Sequence, residues 1–157
     1  MSERDSERVA DAYRATHARL WRSVFAFTGS TEITDDAVAE AFAQVLGRGD
    51  DVRDVVAWVW RTAFAIARGQ LADRRGALPV AALDDVDHEL SERAVDLVLA
   101  LARLDPRDRE LIVLCHIGGW TPTELAKIAG LPASTIRVRL HRATRRARDL
   151  FTEEELR

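Results

Sequence analysis

Apolar residues along this chain recur every three or four positions almost throughout, and sustained alternation is scarce, so the pattern predicts helices rather than strands. The periodic stretches predict a first body of three helices, over about 7–28, 34–46 and 52–75. Gly29 and Gly47 close the first two, a short loop spans 47–51, and Gly76 with Pro79 ends the third. Four further helices are predicted near 91–104, 106–117, 122–129 and 133–151. Between the bodies, Pro, small residues and acids follow one another without a period, the composition of a flexible linker. The expectation is an all-α fold of two small helical domains, 1–75 and 94–157, joined by a flexible linker over 76–93.

The penultimate helix carries a complete start signal: Thr121 as cap, Pro122 in the first turn and Glu124 at the capping-box position. Gly130 then stops it, because a left-handed C-terminal cap is free of steric cost only for glycine. After the turn Gly130-Leu131-Pro132, the residues Ile136, Leu140, Ala143 and Ala147 form one apolar stripe. The opposite face holds Ser134, Arg137, His141 and Arg145, flanked by Arg139, Arg142, Arg146 and Arg148. From Lys127 to Arg148 seven basic residues stand without an acid. A solvated face, a calmodulin-type target or a membrane-surface helix would also show such a pattern. The companion helix favours DNA, since Ala126 and Ile128-Ala129 offer small apolar residues at the crossing and the turn is of the short, glycine-containing helix-turn-helix type.

Charge sharpens this picture. The net charge of -3 does not announce a nucleic-acid partner, but the distribution is uneven. The linker sets Asp84, Asp85, Asp87, Glu89 and Glu92 against a single base, Arg93, so it is an acidic strap.

On the long helix predicted over 52–75, Val56, Val59, Trp60, Ala63, Ile66 and Ala67 share one side. Trp58, Arg61, Ala65, Arg68 and Ala72 share the other. A tryptophan beside two arginines can stack an unpaired base and hold the phosphates of a single strand. Equally, Trp58 can pack against a neighbouring helix with the arginines merely solvated.

An enzyme is poorly supported. His17, His88, His116 and His141 are scattered, and no paired Cys/His spacing or Gly-rich phosphate loop occurs, so no metal or other cofactor is expected. Cys115 and His116 point about 100° apart on a helix, and Cys115 reads as a small buried apolar residue. A single cysteine and the lack of a charged-then-apolar leader suggest a reducing cytoplasm. No membrane span is expected, because the longest apolar run, 94–102, is broken by Asp96 and falls short of the roughly 20 residues required.

The arrangement resembles a known family, the small two-domain extracytoplasmic-function (group four) sigma factors of bacterial RNA polymerase. In the second body the run Ala100-Leu101-Ala102-Arg103-Leu104-Asp105-Pro106-Arg107-Asp108-Arg109-Glu110 resembles the entry to region four, and Leu125-Ala126 with the run from Thr135 to Ala143 resembles its helix-turn-helix. In the first body the run from Asp35 to Phe42 resembles region 2.2, and Ala57-Trp58-Val59-Trp60-Arg61-Thr62-Ala63 resembles the start of the promoter-melting helix.

The resemblance implies that Asp35, Asp36 and Glu40 dock on core RNA polymerase and that the helix bearing Trp58, Arg61 and Arg68 takes the minus-ten element of promoter DNA as a single strand. It implies that Ser134, Thr135, Arg137 and Val138 lie closest to base edges of the minus-thirty-five element, with Arg139, His141, Arg142 and Arg145 beside them. It also implies a role for the acidic strap in the channel that later holds RNA, and an anti-sigma factor or co-activator as a further partner. The chain departs from the family where Ala65 and Gly69 replace an asparagine and an aspartate, Ala39 a glutamine, and Pro132 a serine-like cap. Weakened promoter melting, or dependence on a helper, is therefore expected. Two rivals remain: a response-regulator-type helix-turn-helix regulator, and a sigma-like interaction protein that does not initiate alone.

Overall fold

The computed structural model describes residues 2–74 and 92–155. The linker expected over 76–93 lies outside the described residues except for Glu92 and Arg93, which already belong to a helix.

Three helices build the first body: α1 (Glu3–Thr28), α2 (Thr31–Arg48) and α3 (Val55–Asp73). α1 begins four residues earlier than periodicity suggests, because Ser2 and Asp5 form a reciprocal capping box that satisfies amides of the first turn. The turn into α2 is fixed by hydroxyls. Gly29 takes the left-handed conformation (φ 66°), Ser30 caps α2 through the Ile33 amide, and Thr28 and Thr34 share a buried hydrogen bond of 3.0 Å. α2 runs through Gly47 instead of stopping there and ends beside a single 3-10 turn, Gly49–Asp51, which periodicity does not reveal. Asp54 then caps α3 by accepting from the Ala57 amide at 3.0 Å, which is why this helix starts at 55 and not at 52.

The second body comprises α4 (Glu92–Ala102), α5 (Pro106–His116), α6 (Pro122–Ala129) and α7 (Ala133–Glu155). Asp105 caps α5 with Pro106 in its first turn. α5 and α6 both pack on α7, and α4 with α5 leans on α1.

The two bodies therefore share a core. Leu20, Val24, Ile33, Val38, Val59, Trp60 and Phe64 are continuous with Leu101, Leu104 and Val113, while Leu125, Ala126 and Ile136 form a smaller cluster inside the helix-turn-helix. The side of α3 predicted to be inward is inward, with Val59, Trp60, Ala63 and Ala67 buried, and Phe64 and Leu71 join them. Trp60 is anchored by a buried hydrogen bond that its indole N–H donates to Thr16 of α1 at 2.7 Å. No described helix is long and apolar enough to cross a membrane.

Candidate nucleic-acid interface

The helix-turn-helix is assembled by local chemistry. Thr121 and Glu124 satisfy each other's amides in a capping box at the start of α6, and Gly130 ends that helix at φ 68°. Leu131 donates back to the Ala126 carbonyl, and the Pro132 carbonyl accepts from Thr135 and Ile136, so α7 starts without a serine-type cap. Ile136 and Ala143 are buried and Leu140 and Ala147 half-buried, so the apolar stripe is the underside of α7. Of the small residues assigned to the crossing, Ala126 is buried and Ile128 half-buried, whereas Ala129 is exposed.

The other edge is open. Ser134, Arg137, Val138, Arg139, His141, Arg142 and Arg145 are exposed and Thr135 is half-buried. Val138 shows 48 % of its surface, an apolar group available to a thymine methyl. Arg137 reaches the Thr123 hydroxyl of α6 at 3.4 Å, a long contact that a base edge can displace. The flanking Arg146 behaves differently: its guanidinium straddles the Asp108 carboxylate of α5, with one contact at 2.8 Å, so it braces α7 against α5. The Asp108 side chain is only 13 % exposed, whereas that of Arg146 keeps 57 % of its surface open. Cys115, half-buried beside Leu111 and Leu114, has its thiol pushed up by desolvation and so stays a neutral packing group.

In the first body, Trp58 is half-buried at the rim of the core, and Arg48, from the end of α2, lies over its ring at 5.4 Å. Arg61 and Ala65 are exposed. Arg68 is engaged by Glu110 of α5 in a direct ion pair. The three residues expected to hold a single strand thus share one side of α3 but differ in availability. Trp58 and Arg61 line a cleft of about 530 Å³ whose far wall is Trp120, Glu124 and Lys127 of the second body. No periodicity points to Trp120 or Glu110, since their partners on α3 are dozens of residues away in the chain. Only the Gly118-Gly119-Trp120 break after α5 marks that spot.

On α2, Asp35, Asp36, Ala39 and Glu40 are exposed along one stripe. Asp35 accepts the Trp21 indole N–H at 2.8 Å and Glu40 accepts from Gln44 at 2.9 Å, which orients both carboxylates without neutralising them.

Residues 94–146 match the family described as sigma-70, region 4. The chain is 28 % identical to the RNA polymerase sigma factor CarQ of Myxococcus xanthus, over 98 % of this chain and 97 % of that protein. It is 31 % identical to a probable extracytoplasmic-function sigma factor, SigI, of Mycobacterium tuberculosis, over 93 % of this chain but 56 % of that protein's length. Two solved structures share the fold. CnrH in complex with the cytosolic domain of CnrY superimposes with a TM-score of 0.74 at 22 % identity, covering 94 % of this chain and 90 % of that one. The sigma factor RpoE of Bartonella quintana, in complex with the anti-sigma factor NepR, gives 0.70 at 20 %, covering 96 % and 98 %. With described residues that fold as helices in two bodies, a basic helix-turn-helix edge and similarity along nearly its whole length to extracytoplasmic-function sigma factors, the chain carries a sigma-70 region 4 over residues 94–146.

Proposed function

We propose that this protein is a transcription initiation factor that binds core RNA polymerase and directs it to specific promoters, without chemistry of its own. The observation that carries the reading is α7: its apolar underside is buried while its arginine edge stands in solvent, the arrangement that lets a helix enter a major groove. Arg137, Val138, Ser134 and Thr135, near the start of α7, would read base edges. Arg139, His141, Arg142 and Arg145 would hold the backbone. Trp58, Arg61 and Arg68 on α3 would take the minus-ten strand, and the exposed carboxylates of Asp35, Asp36 and Glu40 would meet core polymerase. The relatives' partners, an anti-sigma factor among them, suggest a dedicated inhibitor or co-activator. The site of action would be the cytoplasm, where the polymerase is.

The test is Arg137→Ala in a selection from random duplexes bound by the chain with core polymerase. Losing a bidentate guanine contact costs about 1–3 kcal/mol and relaxes preference at one base position. Unchanged preference would remove Arg137 from the reading head.

Promoter melting is proposed to be weak. Ala65 and Gly69 are exposed on α3 and offer no side-chain hydrogen-bonding group at the two positions where the family carries an asparagine and an aspartate. Strong initiation from a linear promoter by core polymerase and this chain alone would end that idea. Permanganate footprinting would separate weak opening from a sigma-like interaction protein that never opens DNA.

A further inference from the structure

The segment that leads into α3, residues 49–54, is shaped by contacts from far away in the chain. Gly49 stands at φ 58° and ψ -130°, a backbone conformation that glycine alone takes without steric cost. Val52, 4 % exposed, is packed into the core of the first body. The third hold is Arg8, on the second turn of α1. Its Nη2 donates to the carbonyls of Val52 and Arg53 at 2.7 and 3.1 Å, across 44 and 45 residues of chain. Its Nη1 faces the carboxylates of Asp5 and Asp50 at 3.7 and 3.9 Å. One planar cation thus joins two carbonyls to two carboxylates. Asp50 is held above the ordinary aspartate value, first by Asp5, so the two acids crowd each other and Arg8 is the cation that faces both. The same segment is a wall of the cleft in which Trp58 and Arg61 stand, and it brings Arg53 into that cleft. Arg53 is exposed and no carboxylate among the described residues pairs with it, whereas Arg68 is engaged by Glu110.

We propose that Arg53 is a further cation of the strand site on α3 and that Arg8 is the positioning residue that holds its backbone. The inference rests on the reading of α3 as a single-strand site. Arg8 grips the carbonyl of Arg53 itself, so the point from which that side chain departs is fixed before a strand arrives and the segment need not be ordered on binding. Arg53 and Arg61 share one cleft with Trp58, all three on the first body, and offer two cations to the phosphates beside a base stacked on the indole. The grip depends on the fork of the guanidinium. Arg8→Lys keeps the charge, but its single nitrogen cannot face the carboxylates and the carbonyls from two edges at once.

Anisotropy of a short fluorescein-labelled single-stranded DNA of mixed sequence, titrated with the full chain over a range of salt, tests this. Arg53→Ala is expected to weaken binding about two- to fivefold, and to flatten the slope of log affinity against log salt by about 0.7, the counterion release of one phosphate contact on a single strand. Arg8→Lys, although it conserves net charge, is expected to weaken binding and flatten the slope in the same sense, and to add nothing once Arg53→Ala is present. Binding of the duplex of the same sequence is expected to be unaffected by Arg8→Lys. No loss with Arg8→Lys, losses that add in the double variant, or a parallel loss of duplex binding overturns the positioning role. No loss with Arg53→Ala while Trp58→Ala weakens binding removes Arg53 from the site and leaves the reading of α3 standing. A full chain that does not bind the strand, or binds it equally well with Trp58→Ala and Arg61→Ala, overturns the reading of α3 and the inference with it.

Discussion

Thr16→Val isolates the bond that sets the roll of α3. Thr16 and Trp60 are 2 % and 1 % exposed, and the 2.7 Å contact between them spans 44 residues of chain. Valine keeps the volume and replaces the hydroxyl by a methyl, so the indole N–H loses its acceptor in a place that water does not reach. An unmade buried hydrogen bond costs about 1–3 kcal/mol, and relief from burying the hydroxyl returns part of that, for a net loss of about 1–2 kcal/mol. In a chain of this size the thermal midpoint should fall by about 2–8 °C. Thr16→Ser keeps the acceptor and loses only a methyl, so it reports packing alone. The decisive assay is a double-mutant cycle with Trp60→Phe, each variant unfolded in urea and followed by tryptophan fluorescence. A coupling near 1 kcal/mol supports the bond, whereas additivity within about 0.3 kcal/mol would refute it.

Gly69 lies in the exposed interior of α3, and a methyl group added there would meet nothing within 4 Å, so Gly69→Ala should stabilise the chain by about 0.5–1 kcal/mol in urea unfolding; a loss of stability would contradict the open surroundings. Glu124 is held below the usual carboxylate range, first by the Thr121 backbone amide and then by the Thr121 side chain. Because the folded value is the lower one, its capping contribution is present above the ordinary glutamate range and is lost as pH falls through the folded value. A carboxyl titration followed by NMR should place Glu124 below an unstructured glutamate, and a midpoint at or above the ordinary value would mean that the capping box does not persist in solution.

Local rules are most legible in the sequence where a signal and its consequence lie within one turn of helix. Thr121, Glu124 and Gly130 bound α6 where capping chemistry puts them, and the stripe from Ile136 to Ala147 assigns the two edges of α7 correctly, because a 3.6-residue period fixes which side chains share a face. The same period separates Trp60 from Arg61 on α3. Boundaries shift where a cap outranks periodicity, at Ser2 for α1 and Asp54 for α3, since a side chain that satisfies free amides decides where a helix begins.

Which charges are available is settled by packing between the helices. Arg146 flanks the polar face of α7 as Arg139 and Arg142 do, yet Asp108 claims it; Arg68 resembles Arg61, yet Glu110 claims it. Arg109, of a type that is seldom buried, is nearly inaccessible because α5 presses it onto Phe27. Sequence determines the faces of each helix through backbone geometry. Which face meets which depends on contacts between residues far apart in the chain, and these follow from the packing of all the described helices together.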